Sequence, residues 1–327
     1  MSDFSATWLA LRESADRRAR ADALVNRLQL DTANRFDVVD LGCGTGANLR
    51  HLAPLLAAAG IRDQNWTCAD HDAALLQCLP ERTAAWAADA GYQLMREGQR
   101  LRVDGDDWHC RVRTRRVDLS TDLPSLSWPI GGLVTASALL DLVSADWLDG
   151  LLGHCRAARC QLLFTLSYDG RCELEPAHAD DGGLIDLVNR HQCTDKGFGA
   201  ALGPAAAAAV ETRCAALGYQ VASATSDWRI GPDEPALQRA LVDGWRHAAL
   251  ELRGQTEPER LRAARIDAWH AARVGFIDAA TSRIRVGHRD MVATIPSLTG
   301  DTTQPARSPS TLIDPGSRSG SARMEWT

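Results

Sequence analysis

The stretch Asp37-Val38-Val39-Asp40-Leu41-Gly42-Cys43-Gly44-Thr45-Gly46 constrains the fold more than any other part of the chain. A short apolar run ends in an acid and then in glycines at alternate positions, the pattern of a strand running into a nucleotide loop. The β-branched pair Val38 and Val39 suits a buried parallel strand, and the glycines let the turning backbone approach a ligand with no Cβ in the way. Asn48-Leu49-Arg50-His51-Leu52 begins a helix whose unpaired first amides are donors for a polar or anionic group. In open α/β sheets ligands bind at the carboxyl ends of the strands, where this loop lies.

The strand-then-helix pattern repeats. Trp66-Thr67-Cys68-Ala69-Asp70 is a second strand ending in an acid, with a helix over 73–88 behind it. A polar bridge over 98–107 leads to a third strand, Arg111-Val112-Arg113-Thr114-Arg115-Arg116-Val117, ending at Asp118-Leu119. Gly132-Leu133-Val134-Thr135-Ala136-Ser137 is the fourth and Gln161-Leu162-Leu163-Phe164-Thr165-Leu166-Ser167 the fifth, and residues 219–224 and 283–295 read as strands six and seven. The alternation implies an α/β fold: a doubly wound, mostly parallel, seven-stranded sheet with right-handed crossovers and helices on both faces. Residues 1–30 read as an N-terminal helical extension, with Trp8, Leu9, Leu11, Leu24, Val25 and Leu28 spaced among charges. The main domain spans 31–296, with insertions at about 168–204 after strand five and at 235–282, a helical stretch between strands six and seven. That second insertion reads as a lid, a dimer surface or scaffolding, and its Trp245 and Trp269, with Trp228, as core rather than a substrate wall. The tail 297–327, rich in Ser, Thr, Pro, Gly and Arg, reads as disordered.

With 327 residues and 45% hydrophobic content the chain can bury a full core. A net charge of −6 gives no overall attraction to phosphate backbones, so nucleic acid is not an expected partner. The nine cysteines include no C-x-x-C pair, which fits reduced thiols in a cytoplasmic protein, and no apolar run approaches a membrane span. Of 36 Lys and Arg residues, Lys196 is the only lysine.

Two ligand classes compete for the glycine loop. Gly42, Gly44 and Ala47 satisfy the G-x-G-x-x-G/A dinucleotide fingerprint, the basis of an alternative reading as an NAD(P)-dependent oxidoreductase. Asp40 speaks against it, because an acid there repels a pyrophosphate but can face a ligand ammonium or the loop's own amides. The string Val-Val-Asp-Leu-Gly-Cys-Gly-Thr-Gly closely resembles motif I of the class I S-adenosyl-L-methionine (SAM)-dependent methyltransferases, whose sheet is Rossmann-like and usually closes with an antiparallel pair of strands six and seven. The resemblance covers about 37–167, with weaker support from strands six and seven. It implies that Gly42, Gly44 and Gly46 let the backbone pass the cofactor's methionine and ribose portions, with Asp40 near its ammonium end and Cys43, Asn48 and His71 alongside. Asp70 matches the acid that takes both ribose hydroxyls, with Asp72 as the fallback. Asp118 with Leu119 matches the pair that meets the adenine, and Ser137 sits where the family presents a residue to the methionine end or the substrate. Gly132 stands in place of a frequent acid at the start of strand four, and no Asn-Pro-Pro-Tyr-like quartet follows that strand, which argues against amino-methyltransferases of bases and glutamine.

Methyl transfer needs in-line positioning and, for a protonated nucleophile, a base. The first insertion offers candidates: His191 and Tyr168 for catalysis, and Arg171, Arg190 and Lys196 for contact to an acidic substrate group. No cluster of metal-ligand spacing is present. The expectation is a cytoplasmic SAM-dependent methyltransferase acting on a small molecule. A protein substrate, a homodimer and a non-catalytic SAM-binding protein remain alternatives.

Overall fold

The computed structural model describes residues 5–29, 35–98, 100–252 and 263–296. The expectations for 297–327 lie outside them, as do residues 253–262 of the second insertion. The chain opens on α1 (Ala6–Ala19), capped by the Ser5 hydroxyl, which accepts from the Trp8 amide at 3.1 Å. After a 3-10 turn over Asp22–Arg27 come β1 (Phe36–Leu41), α2 (Ala47–Ala58), β2 (Asp63–Asp70) and α3 (Ala73–Asp89). A hairpin of β3 (Gln93–Glu97) and β4 (Arg100–Asp104) leads into β5 (His109–Arg116), then β6 (Leu133–Ser137), α4 (Ala145–Ala157) and β7 (Gln161–Glu175). The remainder is α5 (Asp181–Gln192), α6 (Ala206–Ala216), β8 (Gln220–Thr225), β9 (Trp228–Ile230), α7 (Pro235–Leu252), α8 (Ala263–Asp278) and β10 (Arg283–Thr294).

The sheet runs β3-β4-β5-β2-β1-β6-β7-β10-β8, with β9 paired to β10. β5, β2, β1, β6 and β7 are parallel neighbours, and β10 lies antiparallel between β7 and β8. The winding moves outward from β1 to β5 and resumes on the other side of β1 at β6, which puts the switch point, and hence the natural ligand crevice, between β1 and β6. Helices cover both faces. Leu49, Leu52 and Leu56 of α2 bury into one apolar cluster, and Leu148, Leu151 and Leu152 of α4 into another on the opposite side. Each such side chain contributes roughly 1.5–3 kcal/mol.

The doubly wound α/β class is as the alternation implies, but the sheet has ten strands among the described residues where the sequence suggested seven. The supposed bridge over 98–107 contains β4, in which buried Leu101 and Val103 alternate with Arg100, Arg102 and Asp104. β7 runs on to Glu175, so the first insertion begins as strand. β10 pairs along this extension from Arg283↔Glu175 to Ala293↔Leu162, with register shifts between Val286 and His288 and between Arg289 and Met291. In the second insertion α7 packs against α5 and α8 over a third apolar cluster that holds Trp228, Trp245 and Trp269 together with Ile284 and Val286. Among the described residues no helix is long and apolar enough to cross a membrane.

Candidate active site

β1 delivers the chain into a turn that only glycine adopts easily. Gly42, Gly44 and Gly46 have φ of +63°, +53° and +83°. A Cβ on Gly44 would come within 2.9 Å of Leu9 Cδ1, so α1 rests directly on the loop. Asp70, at the end of β2, holds the loop from below: one carboxylate oxygen accepts from the Gly44 amide at 2.8 Å and the other from the Asp72 amide at 2.9 Å. Each oxygen keeps a further lone pair at the cleft that Asp70 lines. Asp72 itself caps α3 through the Ala74 and Leu75 amides.

Under the loop lies a chain of polar contacts centred on Asn48. Its amide donates to Asp40 Oδ1 at 2.7 Å and Thr135 Oγ1 at 3.1 Å, while its oxygen accepts from Arg20 Nη1 at 2.7 Å. Arg20 Nη2 donates to Ser137 Oγ at 2.8 Å. Arg20 Nε is buried with no partner among the described residues. Asp16, Asp40 and Asp290 are the acids whose charge favours the Arg20 cation against the cost of its burial. Burial raises the Asp40 carboxyl to about 7, opposed by the Asn48 hydrogen bond and by Arg20.

Two segments roof the cleft. From α1, Arg12 and Asp16 form a two-pronged ion pair, with Nε to Oδ2 at 3.0 Å and Nη2 to Oδ1 at 3.1 Å. The pair is fixed from behind by Trp228, whose indole N–H donates to Asp16 at 3.0 Å and whose ring lies 4.9 Å from the Arg12 guanidinium. From the other side comes the loop after α5. Asp195 and Ala200 bridge across it, Gly197 and Gly199 turn at φ of +98° and +89°, and Ala201 bridges to Ser144 at the head of α4. Phe198 packs edge-on against Trp147 with centroids 5.3 Å apart.

The cleft between floor and roof is open at its mouth and has a cavity volume of about 140 Å³. Of the residues singled out from the sequence, Gly42, Cys43, Gly44, Asn48, Asp70, His71, Leu119, Ser137 and Lys196 line it, as does the fallback Asp72. Asp40 does not. It is fully buried beneath the loop and holds Asn48, neither a ligand nor the loop's amides, because its side chain points into the sheet where no solvent reaches. Gly46 forms the turn that caps α2, packed against Leu79. Asp118 is off the lining, its Oδ1 accepting from the amide and hydroxyl of Ser120, which hold its carboxyl below the ordinary value.

The proposed catalytic pair is not at the cleft. The extended β7 carries Tyr168 away, and its hydroxyl donates to Asn189 Oδ1 at 2.7 Å while burial pushes it far above the ordinary phenol range. His191 ends α5, with Nε2 2.7 Å from Glu251 Oε2 on α7. Arg171 pairs with Asp169 and Asp227 on the extension, and Arg190 is exposed on α5; neither lines the cleft. The sequence reading did not single out Leu9, Arg12, Asp16 or Arg20 for the site, whereas Phe198 lies in the insertion segment it offered as a functional loop. A usable signal existed in α1, where Trp8, Arg12 and Asp16 recur every four residues and so share one helical face. No group of three or more His, Cys, Asp or Glu among the described residues is arranged for a metal.

No protein-family model matches the chain, and no curated protein matches it. Solved structures do. A cyclopropane-fatty-acyl-phospholipid synthase-like protein from Lactobacillus casei is 13% identical, with a TM-score of 0.42 over 88% of this chain and 94% of that one. Haemonchus contortus phosphoethanolamine N-methyltransferase 2, solved with phosphomonomethylethanolamine and S-adenosylhomocysteine, is 11% identical with a TM-score of 0.40, over 90% of this chain and 59% of that one. The [4+2]-cyclase SpnF is 14% identical with a TM-score of 0.36, over 85% and 81%. These are distant likenesses of architecture.

Proposed function

We propose that the chain is a class I SAM-dependent methyltransferase acting on a small-molecule acceptor. The observation that carries this reading is the convergence, on one cleft at the switch point, of a left-handed glycine turn, the Asp70 carboxylate and an arginine whose buried Nε has no partner among the described residues. The fit to SAM can be checked group by group. Arg20 Nε is a donor awaiting an acceptor and suits the methionine carboxylate. The Asp70 oxygens, each already accepting one amide, have room for one ribose hydroxyl apiece. Leu75, Leu119 and Leu139 give the lining apolar surface of the kind an adenine covers. When bound, the sulfonium supplies an activated methyl group that needs little covalent help.

The chain's own work is placement. Arg20 and Asp70 fix the two ends of the donor, and α1, seated on Gly44, forms one wall of the cleft. What supports a small acceptor is the roof, since Arg12, Asp16, Lys196 and Phe198 line the same cleft as the glycine loop. All nine cysteines are free thiols, which supports a reducing, cytoplasmic setting.

Calorimetric titration with SAM, S-adenosylhomocysteine and NADH tests the cofactor. Micromolar binding of the sulfur ligands alone, weakened at least about tenfold in Asp70→Ala, supports the reading; binding of NADH alone replaces it with the oxidoreductase. A panel of phenols, amines and thiols, read by S-adenosylhomocysteine release, then separates an enzyme from a binding protein.

A further inference from the structure

Lys196 is the one lysine in a chain that otherwise uses arginine for every basic side chain other than histidine, and it lines the cleft. An arginine cannot lose its proton in a protein, whereas a half-buried lysine can. Wherever charge alone is needed, this chain uses arginine; at the cleft it places the cation that can become neutral. The surroundings fit that use. Lys196 Nζ lies 3.2 Å from His191 Nδ1 and 2.9 Å from Thr194 Oγ1, and His191 Nε2 lies 2.7 Å from Glu251 Oε2. A neutral amine has two hydrogens and one lone pair. With the His191 proton on Nε2 toward Glu251, His191 Nδ1 and Thr194 Oγ1 take the two hydrogens, which leaves the lone pair for a group in the cleft.

Resting on the methyltransferase reading, we propose that Lys196 is the proton acceptor of this cleft, and that His191 and Glu251 are its exit path to solvent, so that the acceptor is a nucleophile arriving with its proton: a hydroxyl, an amine or a thiol. The acceptor's heteroatom gives its proton to the Nζ lone pair and its freed electron pair to the methyl carbon of a methylsulfonium donor, while the pair of the broken carbon–sulfur bond stays on sulfur. Lys196 then returns a proton to His191 Nδ1 as the Nε2 proton passes to Glu251, whose side chain is 51% exposed.

The charged and titratable groups around the amine are Glu251 and, paired with it, His247 on α7, His191 on α5, Cys193 and Asp195 on its own loop, and the Arg12–Asp16 pair across the cleft. Burial lowers the amine below its ordinary value, and Glu251 and Cys193 oppose that.

A single lysine makes the test direct. Protein labelled with ¹⁵Nζ,¹³Cε-lysine gives one side-chain signal, which is expected to titrate below free lysine and to move lower still in Glu251→Gln, since that removes an opposing anion. A midpoint at or above free lysine, unmoved by Glu251→Gln, overturns the proposal. S-adenosylhomocysteine binding tests the methyltransferase reading separately: failure of the wild type to bind sinks that reading and leaves the lysine titration standing. Lys196→Arg, which keeps the charge, is expected to bind S-adenosylhomocysteine normally. With an acceptor turned over in the panel above, it should lose about 100-fold or more in turnover with KM little changed. Full turnover by Lys196→Arg overturns the base role. His191→Asn should show a smaller loss that added imidazole restores; a loss that imidazole leaves unrestored overturns the exit path.

Discussion

The floor and the roof of the cleft are built from different kinds of information. The floor is strand ends: Gly42, Gly44 and Asp70 stand where β1 and β2 stop, and their identities follow from backbone geometry within a few residues. The roof is α1 and the loop after α5, held in place by Trp228, Trp147 and Ser144 from elements far along the chain. A change in the floor should therefore act on donor binding, and a change in the roof on the acceptor. Arg20 belongs to both, since it leaves α1 and enters the floor between Asn48 and Ser137.

That makes Arg20 the position with the largest expected effect. Arg20→Met takes the donors away from Asn48 Oδ1 and Ser137 Oγ and removes the cation that faces Asp16, Asp40 and Asp290; a hydrogen bond to a charged group is worth about 1.5–3 kcal/mol. Urea unfolding should show a loss of that order, and S-adenosylhomocysteine binding should fall with it even where the protein is folded. Unchanged stability would mean that the acids are neutral and that Arg20 is a bystander.

Asp70→Ala comes next. It removes the acceptor for the Gly44 amide as well as the proposed ribose contact, so donor binding should weaken by about 1.4–3 kcal/mol, each hydrogen bond to a charged group being worth roughly that range. If calorimetry shows donor affinity intact, the floor does not read the ribose. A roof substitution serves as the contrast: Phe198→Ala should leave S-adenosylhomocysteine affinity within about threefold, because Phe198 packs on Trp147 rather than on the glycine loop.

A smaller effect is expected from Tyr168→Phe. Its hydroxyl serves Asn189 and does not reach the cleft, so the change should cost about 1 kcal/mol of stability and leave methyl transfer unaltered. A large loss of turnover at wild-type stability would restore Tyr168 to the chemistry.

The floor was legible in the sequence because strand ends, glycines and terminal acids are local features. The wound order of the sheet followed from the same alternation. What escaped has a common cause. Arg12, Asp16 and Arg20 carry charges, and a charge read along the chain looks solvated until its partner is known; here the partners are Trp228, Asn48 and Ser137, more than a hundred residues away in two of the three cases. The β3–β4 hairpin escaped because its buried positions, Leu101 and Val103, are only two among arginines and aspartates. Tyr168 and His191 were placed at the cleft because they follow a strand whose end faces it. The strand does not end there: it continues to Glu175, which sets Tyr168 into the third apolar cluster, and the chain beyond it puts His191 on α5 beside Glu251.

Asp40 offers the finest test of the separation between a residue that supports the floor and one that touches a ligand. Its carboxyl is raised from 3.8 to about 7 by burial, so the folded protein holds that proton more tightly than the unfolded chain does. The stabilising share of this group is complete below the unfolded value and is lost as pH rises through about 7. His288, buried on β10 and lowered to about 4 by burial, works the other way: its share is present above 6.5 and lost as pH falls. In the wild type the two slopes oppose each other between these values. Asp40→Asn keeps an oxygen for the Asn48 amide and removes one slope, so its stability relative to wild type should increase steadily from pH 4 to 7 and level off above. Urea midpoints at four pH values would show this, and a difference independent of pH would mean that the carboxyl is not held in its neutral form. At pH 5, where both side chains are neutral, S-adenosylhomocysteine should bind the two proteins alike, because Asp40 acts on the donor only through Asn48 and the cation of Arg20.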